Sequence, residues 1–434
     1  MDKMADVLGR AGAWCGQNKY LSAIKNAFQN FMPLTIAGAI GVLWCNVLVN
    51  DQTGLGLFFK PIMALDFLNP AFQAVNFCTI SCITVGITLG IAQEIGVWNM
   101  GAERAGYIPG LVGLAAWLSV TNTSHMVEGA KEAFTGIAGN ELGATGLFTG
   151  MIIGVLSVEL FCFFEKQDAL KIKMPEQVPP GVARAFEVLV PATITLIITA
   201  CIGSACYNLT GLYLNDVIKN GIQGPLGAVG ATIPGVMIIY LVIMLFWLVG
   251  IHGNNMLSAV KEALFTPLAL ENVEKFNKGE KPTNIINIYA LQMWGEFGGS
   301  GVTIGLVIAI MIFGKREDNK AIATLSLVPG LFNINETVTF GVPMVLNPIL
   351  GIPFVVAPLI TIIIGYVLTV IGFCPVACLT VPWTTPPIVF GFLACGANVM
   401  GAVTQAILIV VSTVIYVPFL IAYEKYQNKQ AAEA

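Results

Sequence analysis

Charge is what this sequence has least of. Only 11% of its 434 residues are Asp, Glu, Lys or Arg, against about 25% in a soluble globular protein. That is too little to cover a water-facing surface. Histidine is scarcer still. His125 and His252 are the two in the chain, and neither sits in a cluster of other ligand types, so no metal site and no cofactor is read from the sequence. No long basic run exists, and 21 Lys+Arg stand against 25 Asp+Glu for a net charge of −4. Nucleic acid is thereby excluded as a partner. The C-x-x-C pair and the G-x-S-x-G elbow are also missing, which removes redox-motif and esterase-type readings. The ten cysteines fall mostly in apolar runs (Cys45, Cys78, Cys82, Cys162, Cys201, Cys206, Cys374, Cys378, Cys395) and read as small packing residues.

What is abundant is apolar. Hydrophobic residues make up 56% of the chain, and the mean hydropathy is +0.80. At about 20 residues per crossing, the expectation is an all-α polytopic membrane protein with roughly ten transmembrane helices. Candidate segments run over 21–49, 72–96, 105–120, 143–164, 186–212, 234–251 and 285–313. GITLG (Gly86–Gly90) and GLFTG (Gly146–Gly150) carry the small-residue spacing that lets membrane helices approach closely. Residues 1–20 hold Lys3, Arg10 and Lys19 without an unbroken apolar core, so they read as an amphipathic segment on the cytoplasmic face and not as a signal peptide. Lys and Arg also gather at 166–184, 315–320 and 425–429, which places both termini in the cytoplasm. Lys275, Lys278 and Lys281 ask for the same side as Lys315 although one apolar stretch separates them. A re-entrant hairpin interrupted at GEFGGSG (Gly295–Gly301) reconciles the two.

The two halves differ in punctuation. Nine of the 22 prolines fall in the 59 residues from Pro329 to Pro387. Proline breaks the helical ladder, and irregular backbone at membrane depth survives only around protein or a water-filled cavity. The expected division is a regular-helix scaffold and dimerisation half over 1–222, and a broken-helix substrate half over 223–434. Interrupted spans point to a transport site, and ionisable residues inside apolar stretches are functional candidates. His252 in GIHGNN is one, with Asn254 and Asn255 beside it; its competing role is a packed structural histidine. Glu336 in NINETVTFGVP is the other, beside Asn335; its competing role is the cap of a half-helix. As a carboxylate among amides and hydroxyls it suits the tip of a re-entrant loop, where it can accept a hydroxyl proton. Trp247 and Trp383 offer aromatic faces for the C–H face of a sugar ring, although interfacial tryptophans are common in any membrane protein. Glu296 and Asn140 are weaker candidates. The residues alone do not separate a sugar permease from an ion-coupled secondary transporter with hairpin gates and Glu336 as its coupling carboxylate. A membrane-embedded hydrolase is disfavoured, because Glu336 has no second carboxylate near it in sequence.

Six blocks together carry a resemblance: AIKNAFQNFMPLTIAGAI, GATGLFTGMIIGVLSVELF, WLVGIHGNNM, GGSGVTIGL, NINETVTFGVPMVLNP and VPWTTPPIVFG. In that order, from about Leu21 to Tyr423, they resemble the lactose/cellobiose/diacetylchitobiose class of enzyme IIC, the membrane permease of the bacterial phosphoenolpyruvate-dependent sugar phosphotransferase system. The resemblance implies a homodimer in the bacterial cytoplasmic membrane, with ten spans, two re-entrant hairpins and a dimerising amino-terminal half. It implies a β-linked disaccharide in the carboxyl-terminal half, held by His252 and Glu336 with Trp383 and Asn140 lining the cavity. Asn335, Trp247 and Asn254 join the expected binding set from their positions in the same blocks. A phosphocysteine on enzyme IIB, itself charged by enzyme IIA, would phosphorylate the sugar 6-hydroxyl, with Glu336 and His252 as the groups acting on it. No cysteine-containing phosphate loop of enzyme IIB occurs here, so the chain is expected to translocate sugar and to need its phosphoryl donor in trans. GIHGNN and WTTPP favour cellobiose over diacetylchitobiose, with lactose also in range.

Overall fold

The structure, a computed structural model, describes residues 10, 14, 17–51, 55–57, 59–125, 134–175, 177–225 and 230–433. Most of the amphipathic segment expected at 1–20, together with Cys15 and Lys131, lies outside the described residues. Those described are overwhelmingly helical, with one two-residue ladder pairing Ser124–His125 with Phe134–Thr135. Among them, six helices are long and apolar enough to cross a membrane, or seven if one bent pair counts as a span. The protein is a multi-pass α-helical membrane protein. The chain divides into two compact units, one of Gln17–Gly38 and Ala74–Ala228, the other of Met1–Gly16, Ala39–Gln73 and Val229–Ala434.

The first unit contains most of α1 (Lys19–Leu43), then α2 (Ile83–Met100), α3 (Ile108–Val120), α4 (Leu147–Glu165) and α5 (Pro180–Thr210). Polar contacts join α1 to α2 through Asn26 and Glu94, and elsewhere small residues decide where the helices meet. A Cβ on Gly86 would sit 2.2 Å from the Phe31 ring and one on Gly90 3.1 Å from Ala27 Cβ. The GITLG spacing therefore forms a groove that seats α1. Gly150 of GLFTG similarly lies against Thr88, where a Cβ would come within 2.2 Å of its hydroxyl. At one end, Glu165 is buried and takes charge-assisted bonds from Arg104 and Arg184, each with a 2.8 Å contact. Glu159 pairs with Lys19.

The second unit begins its long run with α6 (Ile233–Leu248) and α7 (Ser258–Asn277). The charged run from Lys261 to Lys275 is helical. Lys261, Phe265, Ala269 and Val273 recur every four residues and are all buried, so an ionisable side chain sits on the buried stripe of α7. The interruption expected at GEFGGSG is present: α8 (Ile288–Gly295) and α9 (Ile304–Phe313) meet at a 60° bend. After α10 (Glu317–Leu331) the chain turns through Asn333, at φ +62°, into α11 (Glu336–Gly341). Two long helices, α12 (Gly351–Val370) and α14 (Val399–Glu433), flank an irregular segment that ends in the short α13 (Val389–Ala394). Its core is aromatic, with Tyr240, Trp247, Phe265, Trp294, Phe297, Phe354 and Tyr416 all fully buried.

Candidate functional site

The GIHG block owes its shape to its two glycines. Gly250 takes φ +81°, a conformation costly for any residue with a Cβ. Gly253 passes so close to α6 that a Cβ would lie 2.0 Å from the Ile243 carbonyl oxygen. Between them His252 is fixed by its own turn, because the Asn255 N–H donates to His252 Nδ1 at 3.2 Å. With Nδ1 accepting, the neutral ring carries its proton on Nε2. Trp247 lies against the ring, with centroids 4.4 Å apart and planes at 48°.

His252 Nε2 stands 3.8 Å from Glu336 Oε1, and the two side chains are 38% and 47% exposed. That distance is too long for a direct hydrogen bond. It leaves a proton donor and a carboxylate facing each other in an accessible space. The two residues are 84 positions apart, and the segments that carry them are joined by a backbone bond in which the Leu346 N–H donates to the Leu248 carbonyl at 2.8 Å. Glu336 itself opens α11, where a carboxylate also complements the helix dipole.

The other expected residues take distinct positions. Trp383 is 44% exposed, whereas Trp247 is 2% exposed and its ring is enclosed by His252 and Phe354. Trp247 Nε1 and Asn254 Oδ1 are buried without a hydrogen-bond partner in the protein, as is Thr339 Oγ1, one turn along α11 from Glu336. Buried polar atoms of this kind are rare enough to require a reason. Asn335 is buried and its amide donates to the Ser300 carbonyl at 2.8 Å, which ties the Glu336 turn to the α8–α9 bend. Asn140 belongs to the other unit, in the short helix Gly139–Leu142, and its side chain lies outside what the structure describes.

One charge cluster was not anticipated. Lys261 Nζ forms an ion pair with Glu296 Oε1, and the Tyr240 hydroxyl donates to that same oxygen at 2.6 Å. The side chains of Lys261 and Glu296 are 7% and 14% exposed, and the pair lies within electrostatic reach of His252. Glu296, a weaker candidate from the sequence, is the counter-charge of a buried lysine. The four-residue spacing from Lys261 to Val273 was the signal that could have revealed it.

The irregular segment around Trp383 is held from outside itself. Gln405 Oε1, on α14, accepts from the N–H groups of Ile388 and Gly391, each at 2.8 Å. Ile388 has φ +75°, an outlier for a β-branched residue, of the sort that persists only where surrounding contacts over-determine the backbone.

The family model described as "Phosphotransferase system, EIIC" matches residues 25–358. The oligo-beta-mannoside-specific EIIC component of Bacillus subtilis (strain 168) is 33% identical over 433 residues, covering 98% of this chain and 94% of that protein. The cellobiose-specific EIIC component of Lactococcus lactis subsp. lactis (strain IL1403) is 30% identical, covering 98% of each. Among solved structures, the transporter ChbC, the IIC component of the N,N'-diacetylchitobiose-specific phosphotransferase system, superposes with a TM-score of 0.88 at 29% identity over 97% of both chains.

Proposed function

This chain belongs to the EIIC family of the phosphotransferase system, and from that premise we propose that it carries cellobiose, binding the disaccharide between His252 and Glu336. Membership decides what the residues alone left open: the protein is the sugar-permease component and not an ion-coupled carrier, and phosphoryl transfer belongs to a separate enzyme IIB. A β-linked disaccharide agrees with the names of its relatives, which specify cellobiose, oligo-β-mannoside and diacetylchitobiose. The GIHGNN and WTTPP runs favour cellobiose within that set, with lactose and diacetylchitobiose as the nearest competitors.

The observation that carries the site is the 3.8 Å gap between His252 Nε2 and Glu336 Oε1. A sugar hydroxyl placed there accepts from the Nε2–H and donates to the carboxylate, satisfying both groups at once. If that hydroxyl is the 6-OH, Glu336 takes its proton as the O6–P bond forms. The S–P bond of the enzyme IIB phosphocysteine breaks in the same step, and the thiolate leaves on enzyme IIB. Trp383, with its exposed ring, stacks on the pyranose face. Trp247 backs His252, and its indole N–H, with Asn254, Asn335 and Thr339, completes the polar lining. The working unit is taken as a homodimer in the bacterial cytoplasmic membrane, joined through the amino-terminal half, with both termini in the cytoplasm.

The test is counterflow of radiolabelled cellobiose into liposomes holding only this protein, without ion gradients, against unlabelled lactose, diacetylchitobiose and β-mannobiose. Saturable uptake blocked best by unlabelled cellobiose supports the assignment. Stronger competition by another disaccharide reassigns the substrate, and uptake that requires a proton or sodium gradient overturns the mechanism.

A further inference from the structure

The Asn333 side chain joins its own turn to two other segments of the broken-helix unit around the candidate site. Its Oδ1 accepts from the Gly298 N–H at 2.6 Å, in the bend between α8 and α9. Its Nδ2 donates to the Trp383 carbonyl at 2.5 Å and to the Thr385 carbonyl at 3.2 Å. The residue itself stands at φ +62°, a left-handed conformation that asparagine tolerates better than other residues with a side chain. Glu336 follows three positions later. Asn335, on the same turn, grips the other side of the bend through Ser300.

We propose that Asn333 is a positioning residue for sugar binding: it sets the distance between the Glu336 carboxylate and the Trp383 ring. The physical case rests on what each partner lacks. The Trp383 segment, 381–388, contains no regular helix, and Pro382, Pro386 and Pro387 donate no backbone hydrogen bonds. One local turn, in which the Thr385 N–H donates to the Pro382 carbonyl at 2.9 Å, shapes the segment, but nothing within it sets where Trp383 sits relative to Glu336. Gln405 anchors the end of the segment at Ile388 and Gly391, and Asn333 anchors its start. The Glu336 turn is likewise only four residues long between two helices. Joining both to the Gly298 backbone through one planar amide makes stacking ring and proton acceptor parts of one body. A site needs its groups held to within about 0.5 Å, and two unlinked loops do not provide that.

The Asn333→Asp variant separates this role from simple structure. Aspartate tolerates the left-handed backbone and still accepts from the Gly298 N–H, but it cannot donate to the Trp383 and Thr385 carbonyls. The first readout needs no sugar. 5-Fluorotryptophan is incorporated at all seven tryptophans, and the Trp383 resonance is identified by its loss in Trp383→Phe. In Asn333→Asp that resonance should shift or split while the Trp117 resonance, in the other unit, stays in place. Asn333→Gly keeps the backbone conformation, loses all three bonds, and should give the same displacement.

The second readout rests on the functional reading above. It is the affinity for radiolabelled cellobiose, with lactose and diacetylchitobiose as further probes. Asn333→Asp should weaken binding about tenfold or more, since two hydrogen bonds of ordinary strength are lost from the support of the site, while unfolding stays cooperative and its midpoint falls only modestly. An unmoved Trp383 resonance overturns the proposal, as does a moved resonance with unchanged affinity. Collapse of both variants overturns it too, because the residue would then be structural and not positional. Failure of the parent protein to bind any of the three sugars refutes the substrate reading instead, and the fluorine spectrum still decides whether Asn333 places Trp383.

Discussion

Replacing Glu296 with Gln asks how much a single buried ion pair contributes to this fold. Glu296 Oε1 receives both Lys261 Nζ and the Tyr240 hydroxyl, and both charged side chains are almost fully enclosed. Gln keeps the size and still offers an oxygen to Tyr240, so the change removes the negative charge and little else. Lys261 would remain on the buried stripe of α7, above Phe265 and Ala269, without its paired carboxylate, the neighbouring Glu262 being engaged by the Thr266 hydroxyl. Breaking one side of a buried pair costs about 3–5 kcal/mol, mostly the penalty of the stranded ion. Replacing both partners should cost far less, because neither charge is then buried alone. Lys261→Met with Glu296→Gln is expected to lie within about 1 kcal/mol of the parent, giving a coupling energy of at least about 2 kcal/mol in the double-mutant cycle. The assay is equilibrium unfolding in mixed micelles, followed by helical circular dichroism, for the parent, both single variants and the pair. A loss below about 1 kcal/mol for Glu296→Gln, or a double variant that loses the sum of the singles, would refute this account of the cluster.

Three further outcomes follow from the same geometry. Glu336→Gln should leave the unfolding midpoint unchanged, since the side chain is half exposed, and should weaken disaccharide binding by calorimetry about 10- to 100-fold through loss of a charge-assisted bond worth about 1.5–3 kcal/mol; unchanged affinity would remove Glu336 from the site. Gly253→Ala should lower stability by about 1–3 kcal/mol, because its methyl would meet the Ile243 carbonyl at 2.0 Å. A thermal-shift scan showing a neutral effect would contradict that packing. Gln405→Leu should destabilise by about 1–3 kcal/mol for each backbone donor stranded at Ile388 and Gly391, and it should broaden the Trp383 fluorine signal; a sharp, unmoved signal would show that the segment is held elsewhere.

Composition and order along the chain made some of this legible. The 11% charge sufficed for the membrane class, since a surface facing lipid needs none and a surface facing water does. Gly86 and Gly90 foretold a close helix contact, because a missing side chain can be read without knowing the partner. The GEFGGSG run marked a broken helix for a similar reason, as each glycine weakens the ladder where it stands. His252 and Glu336 stood out because ionisable groups in apolar runs need an explanation wherever they fold. The blocks around them carried the family resemblance that the comparisons then established.

Tertiary structure decided the rest. Nothing local says that Lys261 meets a carboxylate 35 residues away, that Asn333 reaches 50 residues to the Trp383 carbonyl, or that one tryptophan is enclosed and the other open. Such pairings depend on how helices pack, and packing is set by the sum of many weak contacts, not by the pattern of any one segment. The sequence determined that this protein lives in a membrane and breaks its helices around a histidine and a glutamate. Only the folded chain decided which amides, charges and rings surround them, because hydropathy and backbone propensity act within a segment while hydrogen-bond geometry acts between segments.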